Sequence, residues 1–111
     1  MLDATLYVTD RFVRELKGPA VDLLAGEVLA GANPAVIQNL KIVQTAVLFG
    51  EQVAQLELKF PAGQREKALK VGLSVIARLC REHKVRMYEI GLLLVETTSI
   101  MLVVDGETCG G

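Results

Sequence analysis

Tryptophan is absent from this chain and aromatic residues amount to only 5%, so the flat platforms on which unpaired bases stack are thinly supplied. A single histidine excludes any site that needs two imidazoles from one subunit. Two cysteines, Cys80 and Cys109, are too few for a disulfide framework and are expected as free thiols. No apolar run reaches the roughly 18 residues of a membrane span, because the best stretch, Ile90 to Val104, carries Glu96. The first residues, with Asp3 and Asp10-Arg11, lack the basic lead and apolar run of a secretory signal. A cytoplasmic protein is the expectation.

Catalytic signatures are equally sparse. The glycines from 18 to 106 are isolated and form no phosphate-binding loop. Cys80 and His83 stand three apart on a predicted helix, yet neither a CxxC nor an HxxxH spacing accompanies them, so no metal and no cofactor are expected. Cys80 falls among Leu73, Ile76 and Leu79, surroundings that raise a thiol pKa and work against a nucleophile. The acids are scattered, and Glu57 and Glu89 are the only ones expected in mid-strand.

What the chain has in quantity is aliphatic surface. Hydrophobic residues make up 51% of 111 residues, with 12 Lys and Arg against 13 Asp and Glu, the composition of one folded domain over 1–111. Such a surplus is hard to hide in a small monomer, and a homo-oligomer is expected, a dimer first.

Periodicity supplies the elements. Residues 4–9 alternate with period two and predict a strand. Thr9-Asp10 then reads as a helix N-cap ahead of an apolar stripe from Phe12 to Val28, interrupted at Gly18-Pro19. In the run from Leu40 to Phe60, Ala54, Leu56, Leu58 and Phe60 alternate with Gln55, Glu57 and Lys59, and Gly50-Glu51 predicts the turn of an antiparallel hairpin. A helix from about Gln64 to His83 is expected to turn Leu69, Leu73, Ile76, Cys80 and His83 inward. Two strands, Arg86 to Val95 and Ser99 to Asp105, complete the pattern, both apolar on both faces. The order predicts a ferredoxin-like two-layer α+β sandwich, βαββαβ plus an extra C-terminal strand, with an antiparallel sheet and helices on one face.

Three surfaces follow from that arrangement. On the open sheet face, Thr5, Tyr7, Lys41, Gln55, Glu57 and Lys59 form a polar cluster suited to a small ligand. Leu93, Val95, Met101 and Val103 are the expected oligomer interface. Residues 64–86 hold seven Lys and Arg against two Glu, and Lys67, Lys70, Arg78 and Arg81 fall on one helical stripe that would meet an acidic protein partner. Nucleic acid is not expected, since the net charge is −1.

The functional expectation is therefore a small binding or interaction module without catalysis of its own. Two alternatives stand beside it. The chain ends in Gly110-Gly111, and the order of elements over 40–105 is similar to that of the β-grasp carriers, which implies a carrier using that terminus. The other is an enzyme using Cys80.

Overall fold

The computed structural model describes residues 1–14, 16, 20–33, 36–46, 48 and 50–97. Eight residues of alternating burial, Leu2–Thr9, make β1, with Leu2, Ala4, Leu6 and Val8 buried. Thr9 ends the strand and starts a helix in one step. Its hydroxyl donates to the Val53 carbonyl at 2.9 Å and accepts from the Phe12 amide at 3.3 Å, the N-cap bond to the third helical residue. Helix α1 (Asp10–Arg14) and helix α2 (Ala20–Gly31) follow, then β2 (Ile37–Thr45), β3 (Ala54–Pro61), α3 (Arg65–His83), a short 3-10 turn at Met87–Glu89 and β4 (Ile90–Thr97). Among the described residues no helix is long and apolar enough to cross a membrane.

The sheet order is β2-β1-β3-β4, with β1 parallel to β2, β1 antiparallel to β3, and β3 parallel to β4. Each half of the chain is a β-α-β unit whose second strand lies directly beside its first. The antiparallel β1–β3 pair joins the halves head to tail. This overturns the expected antiparallel ferredoxin-like sandwich. Gly50 does sit in a turn, at φ +65°, but β1 lies between the strands on either side of it, so that turn is no hairpin. Period-two alternation specifies which face a residue takes and is silent on which strand lies next to it.

The final strand predicted from Ser99 to Asp105 lies outside the described residues, as do Met101, Val103, Cys109 and Gly110-Gly111. Glu89 belongs to the 3-10 turn and not to mid-strand; its carboxylate caps the Arg86 amide at 3.0 Å and meets Arg11 at 3.3 Å.

Helices cover one face of the sheet. The core between the layers is built on Leu6, Leu24, Leu56, Leu58 and Leu79, all fully buried, each stabilising the fold by at most about 1.5–3 kcal/mol. The roll of α3 differs from expectation by one residue: Ala68, Gly72, Val75, Ile76 and Leu79 are buried, while Leu69 and Leu73 are 41% and 46% exposed. The two stripes share the same spacing, so size decides between them. A Cβ on Gly72 would lie 2.7 Å from a Leu92 methyl and 3.2 Å from a Leu58 methyl. With small residues inward, the helix approaches the sheet closely, and larger leucines at 69 and 73 would hold it off.

Helix α2 packs on α3 by a similar device. A Cβ on Gly31 would come within 2.9 Å of the Val75 Cα, whereas one on Gly26 would meet nothing within 4 Å. Ser74 Oγ also donates to the Gly31 carbonyl. Two substitutions separate helix propensity from packing. Gly26→Ala is expected to stabilise the fold by about 0.5–1 kcal/mol, and Gly31→Ala to destabilise it by about 1–3 kcal/mol. Urea unfolding of the two variants, read as a shift in midpoint at constant slope, checks both signs.

Candidate functional site

Because alternate residues of a strand take opposite faces, the register that buries Leu6 against Leu56 turns Asp3, Thr5 and Tyr7 of β1 to the open face. The pairing sets them in rows across the sheet: Asn39, Asp3, Lys59, Val95; then Lys41, Thr5, Glu57, Leu93; then Val43, Tyr7, Gln55, Gly91. All six residues expected as a ligand cluster thus share one surface. Tyr7 and Glu57 are diagonal neighbours on adjacent strands, and the Tyr7 hydroxyl donates to Glu57 Oε1 at 3.4 Å, both side chains half-buried. Burial, and then the Glu57 charge and its hydrogen bond, push the Tyr7 phenol above its ordinary value of 10.0. Tyr7 is accordingly a neutral proton donor at pH 7, resting on a carboxylate.

One end of this face was not legible in the sequence. Asp3 Oδ1 accepts from Gln38 Nε2 at 2.9 Å and from Asn39 Nδ2 at 3.0 Å, because a register shift between Leu2 and Asp3 brings both amides to one carboxylate. The Asn39 and Gln38 bonds, and then the Lys59 charge, hold the Asp3 carboxyl below its ordinary 3.8. Starting the predicted strand at residue 4 had left Asp3 out, although it shares the parity of Thr5 and Tyr7. A concavity of about 320 Å³ opens here, lined by Asp3, Thr5, Asn39, Lys41 and Lys59.

The remaining candidates separate. Leu93 is 42% exposed on the open face, and Val95 is half-buried beside it. Of the basic stripe on α3, Lys67, Lys70 and Arg81 are exposed, while Arg78 is half-buried, its Cβ lying against the α2 end at Gly31. Cys80 and His83 turn to different partners. Cys80 Sγ lies 3.7 Å from Met87 Sδ, and burial, followed by the nearby Glu89 charge, pushes its thiol up. His83 Nε2 is bonded to Glu27 Oε1, both nearly enclosed. Among the described residues no three His, Cys, Asp or Glu stand where they could hold a metal ion.

No family model matches the chain, and no curated protein matches it in sequence. Solved structures do match in fold. MIF2 of Leishmania major is 12% identical with a TM-score of 0.60, covering 87% of this chain and 89% of that one. Pt0534, solved inactivated by 2-oxo-3-pentynoate, is 13% identical with a TM-score of 0.56 and 87% coverage of each chain. A fused 4-OT described as a symmetric trimer is 11% identical with a TM-score of 0.55, covering 87% and 86%. The fold is tautomerase/MIF-like.

This likeness corrects the functional expectation. Among the structures that share this fold is Pt0534, solved inactivated by 2-oxo-3-pentynoate, which overturns the expectation of an interaction module without catalysis of its own. The β-α-β lead likewise removes the β-grasp carrier reading, since β1 lies at the centre of the sheet and is not an appendage. At such identities the likeness is one of architecture alone.

The Tyr7–Glu57 contact has a measurable consequence. In a Tyr88→Phe background, absorbance titration of Tyr7 is expected to give a midpoint above 10.0, lowered by Glu57→Gln. A phenol whose pKa is raised on folding stabilises the fold below its unfolded value. That contribution is lost as pH rises through the folded value, so the stability advantage over Tyr7→Phe should shrink above about pH 10.

Proposed function

We propose that the open sheet face is the active site of a small-molecule enzyme that moves a proton on a 2-oxo acid. The observation that carries this reading is the Tyr7 hydroxyl on the Glu57 carboxylate, with Lys41 in the row of Glu57 and Lys59 in the row beyond it. A carboxylate-bearing substrate is drawn to the two ammonium groups. Its 2-oxo oxygen then takes the Tyr7 O–H in place of Glu57, which frees the Glu57 carboxylate to act as base.

Glu57 removes a proton from C3, the C2–C3 bond gains double-bond character, and negative charge gathers on the 2-oxo oxygen, where the Tyr7 O–H stabilises it while the lysines hold the carboxylate. Return of the proton from Glu57 to C3 restores the keto form, so no other reactant is consumed. Thr5 and Gln55 complete the polar lining, and Asp3 pairs with Lys59 across β1 and β3. That Pt0534 is inactivated by a 2-oxo acid supports this substrate class.

Hydrogen–deuterium exchange at C3 of pyruvate, followed by NMR in D2O, tests the reading. Exchange above the buffer rate is expected, falling about 10²–10⁴-fold in Glu57→Gln, with Lys59→Ala raising KM at little change in kcat. Wild-type exchange at the buffer rate would overturn the assignment.

The same face has an apolar margin, Leu93 and Val95 on β4, with Val43, 38% exposed, at the opposite edge. In our reading further copies of this chain pack there. A dimer is the simplest closed assembly, and the symmetric trimer described for the fused 4-OT is the other. Leu93→Asp is expected to reduce the assembly to monomers in native mass spectrometry, and an unchanged oligomer mass would move the interface elsewhere.

A further inference from the structure

The helical side of the molecule carries a second concavity that the open-face chemistry does not use. It encloses about 510 Å³ and is walled by Phe12 and Leu16, by Leu23 and Glu27 of α2, and by Glu82, His83 and Lys84 at the end of α3. Sites that enclose a small organic molecule fall in this size range and combine apolar walls with a few convergent polar groups.

His83 is held there on two sides. Its Nε2 is bonded to Glu27 Oε1, with 13% and 11% of the two side chains exposed. Its ring stands edge-on to Phe12, centroids 5.4 Å apart at 78°. In the neutral ring with Nε2–H donated to the Glu27 carboxylate, Nδ1 is the acceptor nitrogen. Nδ1 makes no hydrogen bond to any described residue, and the His83 ring lines the cavity.

Lys84 adds a cation to the same wall. It closes α3 in the left-handed conformation, at φ 56°, its amide bonded to the Cys80 carbonyl. Among the described residues no other non-glycine has positive φ. Glycine suits that position better by about 1 kcal/mol, yet a lysine stands there, on the cavity wall.

We infer that this cavity is a second small-molecule site, and that it takes an uncharged hydroxyaromatic compound. The weakly acidic O–H donates to His83 Nδ1, and the ring lies against Phe12, Leu16 and Leu23. Lys84 favours the partial negative charge that this hydrogen bond places on the phenolic oxygen. Glu27 and Glu82 set two carboxylates against any ligand that arrives as a full anion, which separates this class from the 2-oxo acids of the open face.

The chain has one histidine, so its imidazole gives a single set of NMR signals and the test can be read without assignment. Phenol titrated into the full-length labelled protein is expected to shift the His83 Cε1–Hε1 signal saturably. Anisole, which lacks the donor, should bind at least about ten-fold more weakly, the cost of leaving a site's hydrogen-bonding group unmatched. His83→Phe should abolish the preference for phenol, read from ligand signals. Leu23→Trp fills the cavity from a half-buried position, keeps the histidine signal and should weaken phenol about ten-fold or more.

Absence of a saturable shift up to about 10 mM phenol, equal affinity for anisole, or unaltered binding by Leu23→Trp would overturn the inference. Glu57→Gln and Lys59→Ala should leave the His83 shift untouched. Failure here would therefore leave the open-face reading standing, and the reverse holds as well.

Discussion

Leu6 lies directly opposite Leu56 at the middle of the β1–β3 pair, and neither exposes any surface. That pairing is the constraint on which the rest of the molecule depends, because a sheet has only two faces. A slip of one residue would send Leu56 and Leu58 into water and Glu57 into the core, at several kcal/mol for the unpaired charge alone. The apolar register therefore fixes the polar one. Thr5, Tyr7, Gln55 and Glu57 stand together on the open face because their neighbours in sequence are bound to the helices.

The helical layer obeys a different rule, set by how closely backbones can approach. Gly72 lets α3 settle on Leu58 and Leu92, and Gly31 lets the end of α2 reach the backbone at Val75. Together these contacts fix the roll and axial position of α3. Val75 lies two turns before His83, so the contact at Gly31 also decides where the imidazole arrives. It arrives at Glu27, one turn before Gly31 on the facing helix. The His83–Glu27 pair thus depends on how closely two glycines let the backbones approach.

Much of this was legible in the amino-acid pattern, and the failures share a cause. Alternation at Ala54–Phe60 predicted β3 and its two faces, and the six polar residues assigned to the open face lie on it, since period two is a local property. Adjacency is not local. A turn at Gly50 is compatible with either a hairpin or a passage across the end of β1, and only the packing of two β-α-β units selects the second. The stripe Leu69, Leu73, Ile76, Cys80 has the same spacing as Ala68, Gly72, Val75, Leu79, and hydropathy favours the wrong one. Glu27 gave no signal because an acid in a helix reads as a solvated position, and its burial depends on a histidine 56 residues away.

The two polar regions differ in how they depend on assembly. Glu27 and His83 are enclosed by a single copy of the chain, so their chemistry is complete in the monomer. Tyr7 and Glu57 are only half-buried, and water competes for both. A further copy laid against Leu93 and Val95 would exclude part of that water, and opposite charges attract more strongly as the local dielectric falls. Desolvation would push the Tyr7 phenol further in the direction in which burial already moves it. It would also strengthen the pull of Lys41 and Lys59 on a bound carboxylate. In the proposed reading the apolar margin and the polar rows would act as one device, in which association of subunits sets the environment in which the proton moves.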